Sequence, residues 1–170
     1  PIRKNEATNS ASLEEEIMNI LIVDPSSERR ALVDDALSWV SDRYFLQQAQ
    51  SLMEAKEQLR GEEFQLVIVG PELPEDTFAA LVFLRGWLPH TPLLTYTKMS
   101  RFDRNMPARL LDCGANLVFD QRMSATQLGL VLRPYLANKS NVHQFATRKA
   151  APLVDQPAQR APREQVASFG

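Results

Sequence analysis

The amino-acid sequence predicts an α/β domain in which five parallel strands form one sheet with helices on both faces. Five short apolar runs of strand length alternate with segments whose apolar residues recur at helical spacing. Turn-forming residues, chiefly proline, glycine, serine and aspartate, separate most of these segments. Strands that are joined by helices pair in parallel through right-handed crossovers, which place helices on both sides of the sheet.

The first two strand–helix units occupy the amino-terminal half of the domain. Ile20–Val23 is an apolar run bounded by Asp24 and Pro25, which is typical of a strand buried on both faces. Ser26 provides an N-cap for the helix that follows. Tyr44–Leu46 predicts a second, more polar strand. A capping box and a terminal glycine indicate its helix, and these residues are Ser51, Glu54 and Gly61.

Three further units complete the predicted domain. Their strands are predicted at Leu66–Val69, Leu93–Tyr96 and Leu117–Phe119. Their helices are predicted at residues 77–88, from Pro107 to Cys113, and at Ser124–Ala137. Phe83 and Trp87 lie four residues apart in the first of these helices, so they are predicted to pack in the core.

The overall composition is that of a folded protein without extracellular features. Hydrophobic residues make up 44% of the chain and charged residues 24%, which favours a packed core. The net charge of -2 argues against direct nucleic-acid binding, which usually requires a basic surplus. Cys113 is the only cysteine and excludes an internal disulfide. Because no apolar run has the length of a membrane span or the pattern of a signal peptide, we expect a cytoplasmic protein.

Composition divides the chain into three parts. Residues 1–16 are polar and predict a flexible amino-terminal segment. Residues 17–138 contain the strand and helix patterns and predict the domain. Residues 139–170 contain prolines among alanine, glutamine and arginine, and they carry five basic but only two acidic residues. Their apolar residues show no period, so we interpret this part as a flexible linker or tail.

The order and spacing of four fragments resemble the receiver domain of two-component response regulators, across about residues 18–137. Asn19–Asp24 and Phe64–Val69 look like its first and third strands. Pro92–Thr97 looks like its fourth strand, and Cys113–Asn116 like the turn before its fifth. The resemblance implies a flavodoxin-like (βα)5 fold and a bacterial protein of two-component signalling.

The resemblance also implies a phosphorylation site of five positions, of which this sequence keeps two. A working receiver holds Mg²⁺ with carboxylates because this ion prefers oxygen ligands. Asp24 retains one acid of the required pair, but Pro25 replaces the other. Gly70 stands where the phosphorylated aspartate is expected. Thr97 matches the hydroxyl position, whereas Gln121 replaces the lysine that contacts the phosphoryl group.

These substitutions predict a degenerate receiver that is not an enzyme and holds neither a metal nor a cofactor. We expect Asp24, a remnant of the acidic pocket, to accept hydrogen bonds from the amides of Ser26 or Ser27. The acids of the loop after the third strand lie two to six residues beyond Gly70 and do not restore the acceptor; they are Glu72, Glu75 and Asp76. Val118 occupies the place of the switch aromatic.

A candidate interaction face follows the fourth strand. Receivers commonly dimerise or dock partners through the fourth helix, fifth strand and fifth helix, so the resemblance implies a protein partner or a homodimer there. Its charged residues have both signs and are Arg101, Arg104, Arg109, Asp112, Asp120, Arg122 and Arg133. Apolar contact area is expected from Leu110, Leu117 and Leu128.

The sequence leaves three functions open. We favour a phosphorylation-independent interaction or dimerisation module at the start of a larger regulatory protein. Atypical receivers precede pilus-assembly ATPases of the MinD/ParA class, the TadZ and CpaE type. Residues 165–170 look like the start of the strand that leads into the P-loop of such an ATPase. One alternative is the receiver of a transcription regulator whose DNA-binding domain is absent from this chain. Another is a small flavodoxin-like enzyme, although the predicted strand ends offer no nucleophile and base together.

Overall fold

The computed structural model describes residues 17–100 and 103–137, and it confirms the predicted α/β fold. Strands β1 to β5 are Met18–Val23, Tyr44–Ala49, Leu66–Val69, Leu93–Thr97 and Leu117–Asp120. Helices α1 to α5 are Ser27–Val40, Leu52–Gly61, Thr77–Trp87, Met106–Asp112 and Ala125–Leu136. The strands form one sheet in the order β2-β1-β3-β4-β5, and every strand pair is parallel.

Some predictions concern parts of the chain outside the described residues. These are the amino-terminal segment 1–16, the carboxy-terminal segment 139–170 and the candidate interface residue Arg101. Among the helices of residues 17–100 and 103–137, none has the length and apolar character that crossing a membrane requires.

The sheet separates two apolar layers. Leu21 and Val23 of β1 face the layer that also contains buried residues of α2, α3 and α4. Ile20 and Ile22 face the opposite layer, with buried residues of α1 and α5. This alternation follows from the two-residue period of a strand. All four residues of β3 are buried, as expected for a central strand of a sheet covered on both sides.

Strand β2 extends three residues beyond the predicted Tyr44–Leu46. Its continuation includes Gln47 and Gln48, whose polarity hides the strand from an apolar pattern. The length is set by pairing, because β2 remains in parallel register with β1 from Met18 and Tyr44 to Val23 and Ala49. Edge strands have one hydrogen-bonded neighbour and tolerate polar side chains at the open edge.

Two serines cap helices as predicted, with one difference in the capping box. The Ser26 hydroxyl accepts from the amide of Arg29 at the start of α1, and the Ser51 hydroxyl accepts from that of Glu54 at the start of α2. The Glu54 carboxylate accepts from the amide of Gln50, however, rather than from that of Ser51. The N-cap prediction is therefore confirmed, whereas the reciprocal bond is displaced by one residue.

Candidate functional site

The candidate site lies at the carboxyl edge of the sheet, where β1, β3 and β4 end side by side. Asp24 follows β1, Gly70 follows β3, and Thr97 ends β4. Neighbouring parallel strands bring their following loops to the same edge, which is where open α/β sheets bind ligands. The backbone confirms this proximity, because the Gly70 amide donates to the carbonyl of Val23 at 2.8 Å.

Asp24 is completely buried, and its carboxylate has three donors. The Ser26 amide donates to Oδ1 at 2.6 Å, so the predicted turn hydrogen bond is present. Arg29 Nε lies 3.1 Å from Oδ2 in an ion pair. The Tyr96 hydroxyl also donates to Oδ2. A buried carboxylate requires such partners, because its charge loses the hydration it has in water.

The Asp24 carboxylate occupies the space above Gly70. A Cβ added to Gly70 would lie 2.0 Å from Oδ2 and 2.5 Å from Cγ of Asp24. Real Cβ atoms do not approach other atoms so closely, so this arrangement admits only glycine at position 70. The Asp24 carboxylate therefore fills the volume that any side chain at position 70 would need.

Arg29 connects the buried acid with the loop after β3. Its Nη2 donates to Glu72 Oε2 at 2.9 Å, while its Nε faces Asp24. Burial by itself would lower the pKa of Arg29, but the hydrogen bond to Glu72 and the charge of Asp24 together raise it. A permanent guanidinium cation thus neutralises Asp24 from within the chain.

Tyr96 is the partner that sequence reasoning missed. Its ring stacks on Phe119 of β5 with centroids 5.1 Å apart, and only 3% of the residue is exposed. Burial and the hydrogen bond to Asp24 raise the pKa of the Tyr96 hydroxyl strongly, so it remains a donor at neutral pH. The signal was its place in β4, one residue before Thr97, but no local pattern connects it with Asp24.

The other predicted positions lie beside this cluster. Thr97 is half-buried and, with Tyr96, lines a cleft of about 190 Å³ between the start of α3 and α4. Gln121 lines a groove with Arg29 and Tyr96, the two side chains that bind Asp24, and its amide donates to the Thr97 carbonyl at 3.0 Å. Within the described residues, no group of three or more histidine, cysteine, aspartate or glutamate side chains is arranged to hold a metal ion.

Comparison with solved structures identifies this architecture. A CheY-like response regulator receiver domain from Methanospirillum hungatei JF-1 superposes with a TM-score of 0.61 at 16% identity, covering 76% of this chain and 97% of that one. The signal receiver domain of an HD domain-containing protein from Pseudomonas fluorescens Pf-5 gives 0.64 at 23% identity, covering 78% and 94%. The chain has the fold of a response regulator receiver domain.

This chain also superposes on one part of a longer protein. NtrX from Brucella abortus superposes with a TM-score of 0.62 at 21% identity, covering 71% of this chain but 27% of that one. No protein-family model matches the sequence, and no curated protein matches it. The superpositions on solved receiver domains thus confirm the predicted resemblance at the level of the fold.

The helices of the predicted interaction face expose both charged and apolar side chains. Arg104 precedes α4, Arg109 and Asp112 lie on α4, Arg133 lies on α5, and all four are exposed. Leu111 of α4 and Leu130 of α5 are also exposed. The predicted apolar contributors are mostly unavailable, which corrects the sequence interpretation. Leu110 is 3% exposed and Leu128 is 2% exposed, because each packs into the core beneath the face, and Leu117 is half-buried.

Asp120 and Arg122 form an ion pair within one chain rather than between two. Arg122 Nη2 lies 2.5 Å from Asp120 Oδ2, and Arg122 also donates its amide to Oδ1 at 3.0 Å. The side-chain hydrogen bond from Arg122 is the main reason that the pKa of Asp120 falls to about 2. Each member already has its partner, so neither needs a second copy.

We expect a carboxyl-carbon NMR titration to give an Asp120 pKa of about 2 at every protein concentration. Because the pKa is lowered in the folded state, the pair stabilises the domain above the ordinary aspartate pKa and loses its effect as pH falls towards 2. Arg122→Gln should return the Asp120 pKa towards its ordinary value. A pKa that rises on dilution would show instead that Asp120 pairs between copies.

Proposed function

We propose that this chain is a receiver domain that functions without phosphorylation, as a protein-interaction module of a larger regulatory protein. The observation that supports this most directly is the contact between Asp24 and Gly70. Position 70 has no side chain to accept a phosphoryl group, and the Asp24 carboxylate fills the space above it.

The charges of the site support the same proposal. A receiver that accepts phosphate needs a bound divalent cation beside its acids and an ammonium group near the phosphoryl oxygens. Here the guanidinium of Arg29 already pairs with Asp24. Gln121, which lines a groove with Arg29 and Tyr96, contributes no positive charge. The acidic pocket of a working receiver is thus replaced by a neutralised internal ion pair.

The wider setting of the proposal is supported by the sequence and by the proteins in which similar domains occur. One similar domain is described as the receiver of an HD domain-containing protein, and the match to NtrX covers 27% of that chain. Receiver folds therefore occur within longer proteins. We place this chain in the cytoplasm at the amino-terminal part of such a protein, with a pilus-assembly ATPase of the MinD/ParA class as the specific proposal.

Self-association through the face of α4, β5 and α5 belongs to the same proposal. A two-fold dimer places the same patch on both subunits, so exposed charges of both signs can complement each other. Arg104, Asp112 and Arg133 are available for this purpose, whereas the Arg109 guanidinium lies over the Phe78 ring of α3. Exposed ion pairs contribute only ~0–1 kcal/mol each, and Leu110 and Leu128 are buried, so we expect this association to be weak and salt-sensitive.

Incubation with acetyl phosphate and Mg²⁺ tests the central proposal. Intact-mass spectrometry should show no phosphoryl adduct on this chain, because the acceptor and the phosphate-binding lysine are both missing. A receiver that retains its acceptor aspartate serves as the positive control in the same reaction. An adduct that maps to the loop acids, Glu72, Glu75 or Asp76, or to any residue of 17–137, would overturn the proposal.

A further inference from the structure

Helix α3 presents no charged or hydroxyl-bearing side chain that lacks a partner. Apart from the indole N–H of Trp87, its polar side chains are those of Thr77 and Arg85. The Thr77 hydroxyl is buried and donates to the Pro71 carbonyl at 2.9 Å. The Arg85 guanidinium donates to the backbone carbonyls of Gly114, Leu88, Pro89 and Thr91 and to the side chain of Asn116. A surface helix normally places polar side chains opposite its buried stripe.

The outer face of α3 is nevertheless exposed. Val82 is 58% exposed and Trp87 is 47% exposed, which corrects the prediction that Trp87 is a core residue. We call this face the α3 strip, and its residues are Ala79, Val82, Phe83, Gly86 and Trp87. Phe83 is half-buried and its ring lies 5.3 Å from that of Trp87, so the strip presents a continuous aromatic and aliphatic surface.

Two cations border the α3 strip, one from each neighbouring helix. Lys56 Nζ of α2 lies 4.1 Å from the centroid of the Phe83 ring. The Arg109 guanidinium of α4 lies 4.5 Å from the centroid of the Phe78 ring. Within the described part of the chain, neither cation has a carboxylate oxygen within 4.0 Å, although Lys56 interacts electrostatically with Glu75 at longer range. Each cation is positioned by a cation–π contact, and a closer carboxylate of a partner would form a direct ion pair with it.

We propose that the α3 strip docks an amphipathic helix of a partner protein whose apolar stripe is bordered by aspartate or glutamate. This inference deepens the proposed interaction function by naming a face and the chemistry of its partner. The apolar stripe would cover Val82 and Trp87, and its acidic borders would face Lys56 and Arg109. Helices commonly bind in this way to apolar surfaces, with anchors three and four residues apart.

The same charges disfavour a second copy of this chain as the occupant. If two α3 strips pack with their helices parallel, Lys56 of one copy faces Arg109 of the other. If they pack antiparallel, each cation faces its own equivalent. Like charges that meet across an interface oppose binding, whereas an acidic helix converts both into attractive pairs.

Binding of two synthetic helical peptides to the complete 170-residue chain tests the proposal. Both peptides carry the same leucine stripe, bordered by glutamate in one and by lysine in the other. Fluorescence anisotropy at low salt should show at least about tenfold tighter binding of the glutamate peptide, because two attractive pairs replace two repulsive ones. The difference should shrink as salt is added.

Three variants locate the binding site. Val82→Glu should abolish binding of the glutamate peptide, and it should fold because Val82 is largely exposed. The double variant Lys56→Glu, Arg109→Glu should reverse the preference and favour the lysine peptide. Asp35→Lys, at an exposed position of α1 on the opposite face of the sheet, is the control, and it should leave the preference for the glutamate peptide unchanged. Circular dichroism verifies that each variant is folded.

Three results would overturn the docking proposal. These are equal affinity for the two peptides, binding that survives Val82→Glu, and failure of the glutamate peptide to bind. Light scattering adds a fourth, since a dimer that Val82→Glu converts to a monomer would identify a second copy as the occupant. The phosphorylation result is independent of these outcomes. A phosphoryl adduct would overturn the proposed function alone, and a failed peptide experiment without an adduct would overturn only the docking face.

Discussion

Gly70→Ala is expected to lower the free energy of unfolding by about 3 kcal/mol, a large effect for one added methyl group. The new Cβ would lie 2.0 Å from the Asp24 carboxylate oxygen. That carboxylate cannot simply move away, because Arg29 and Tyr96 hold the same oxygen. Urea denaturation followed by circular dichroism measures the change.

Gly86→Ala is the matched control for this substitution. Gly86 lies within α3, and a Cβ added there meets no atom within 4 Å. Alanine should therefore stabilise the domain by about 0.5–1 kcal/mol through its higher helix propensity. The two glycine replacements thus have opposite expected signs. Equal effects of the two variants would show that the volume above Gly70 is not occupied as described.

Exchanging the two residues extends the same test. Gly70→Asp alone adds a second carboxylate to an occupied space and should be at least as costly as Gly70→Ala. Combining it with Asp24→Gly moves the carboxylate to the neighbouring strand and frees the space that it needs. The double variant should therefore be more stable than the sum of the two single effects predicts, by about 1–3 kcal/mol. Additive effects would contradict the proposed steric competition.

Arg29→Met is expected to destabilise the domain by about 3–5 kcal/mol, because it leaves the Asp24 carboxylate buried without its counter-ion. Tyr96→Phe removes one hydrogen bond to the same charged group and should cost about 1.5–3 kcal/mol. Both changes are measured from urea denaturation midpoints at neutral pH. Arg60→Met, at an exposed arginine of α2, serves as the control and should change stability by less than about 0.5 kcal/mol.

A double variant separates the ion pair from general packing. In a protein that already carries Asp24→Asn, Arg29→Met should lower the free energy of unfolding much less, because it no longer leaves an unpaired buried carboxylate. If Arg29→Met costs the same in both backgrounds, its effect arises from packing of its aliphatic part instead. That result would contradict the role assigned to Arg29 as the internal counter-ion.

The strands and helices could be predicted because their signals are local. Leu66–Val69 is apolar throughout and bounded by turn residues, and the observed strand has the same limits. The N-cap at Ser26 is likewise a local signal, because its hydrogen bond to the Arg29 amide lies within four residues of sequence. Even Gly70 carries a sequence signal, since the receiver resemblance marks it as the missing acceptor. The fold can therefore be recognised before any coordinates are known, and the loss of the acceptor is a prediction that the same residues supply.

The contacts that complete the site could not be predicted from local patterns. Tyr96 lies 72 residues from Asp24, and Glu72 lies 43 residues from Arg29. Only the strand order brings these residues together. The exposure of Trp87 was missed for a different reason. Because apolar residues of α3 occur on its exposed side as well as on its buried side, their periodicity does not show which side faces the core.

The arrangement around Tyr96 has a consequence for how the proposed partner binding would be regulated. The ring is fixed on Phe119 and the hydroxyl on Asp24, while Val118 provides no aromatic side chain that could exchange between inner and outer positions. A protein with one dominant conformer binds at its full intrinsic affinity, since no fraction of the population is incompetent. We expect a simple hyperbolic binding curve. The fraction of the α3 strip that is occupied by the proposed partner would then follow mass action. The cell would control this fraction through the abundance and location of this protein and its partner.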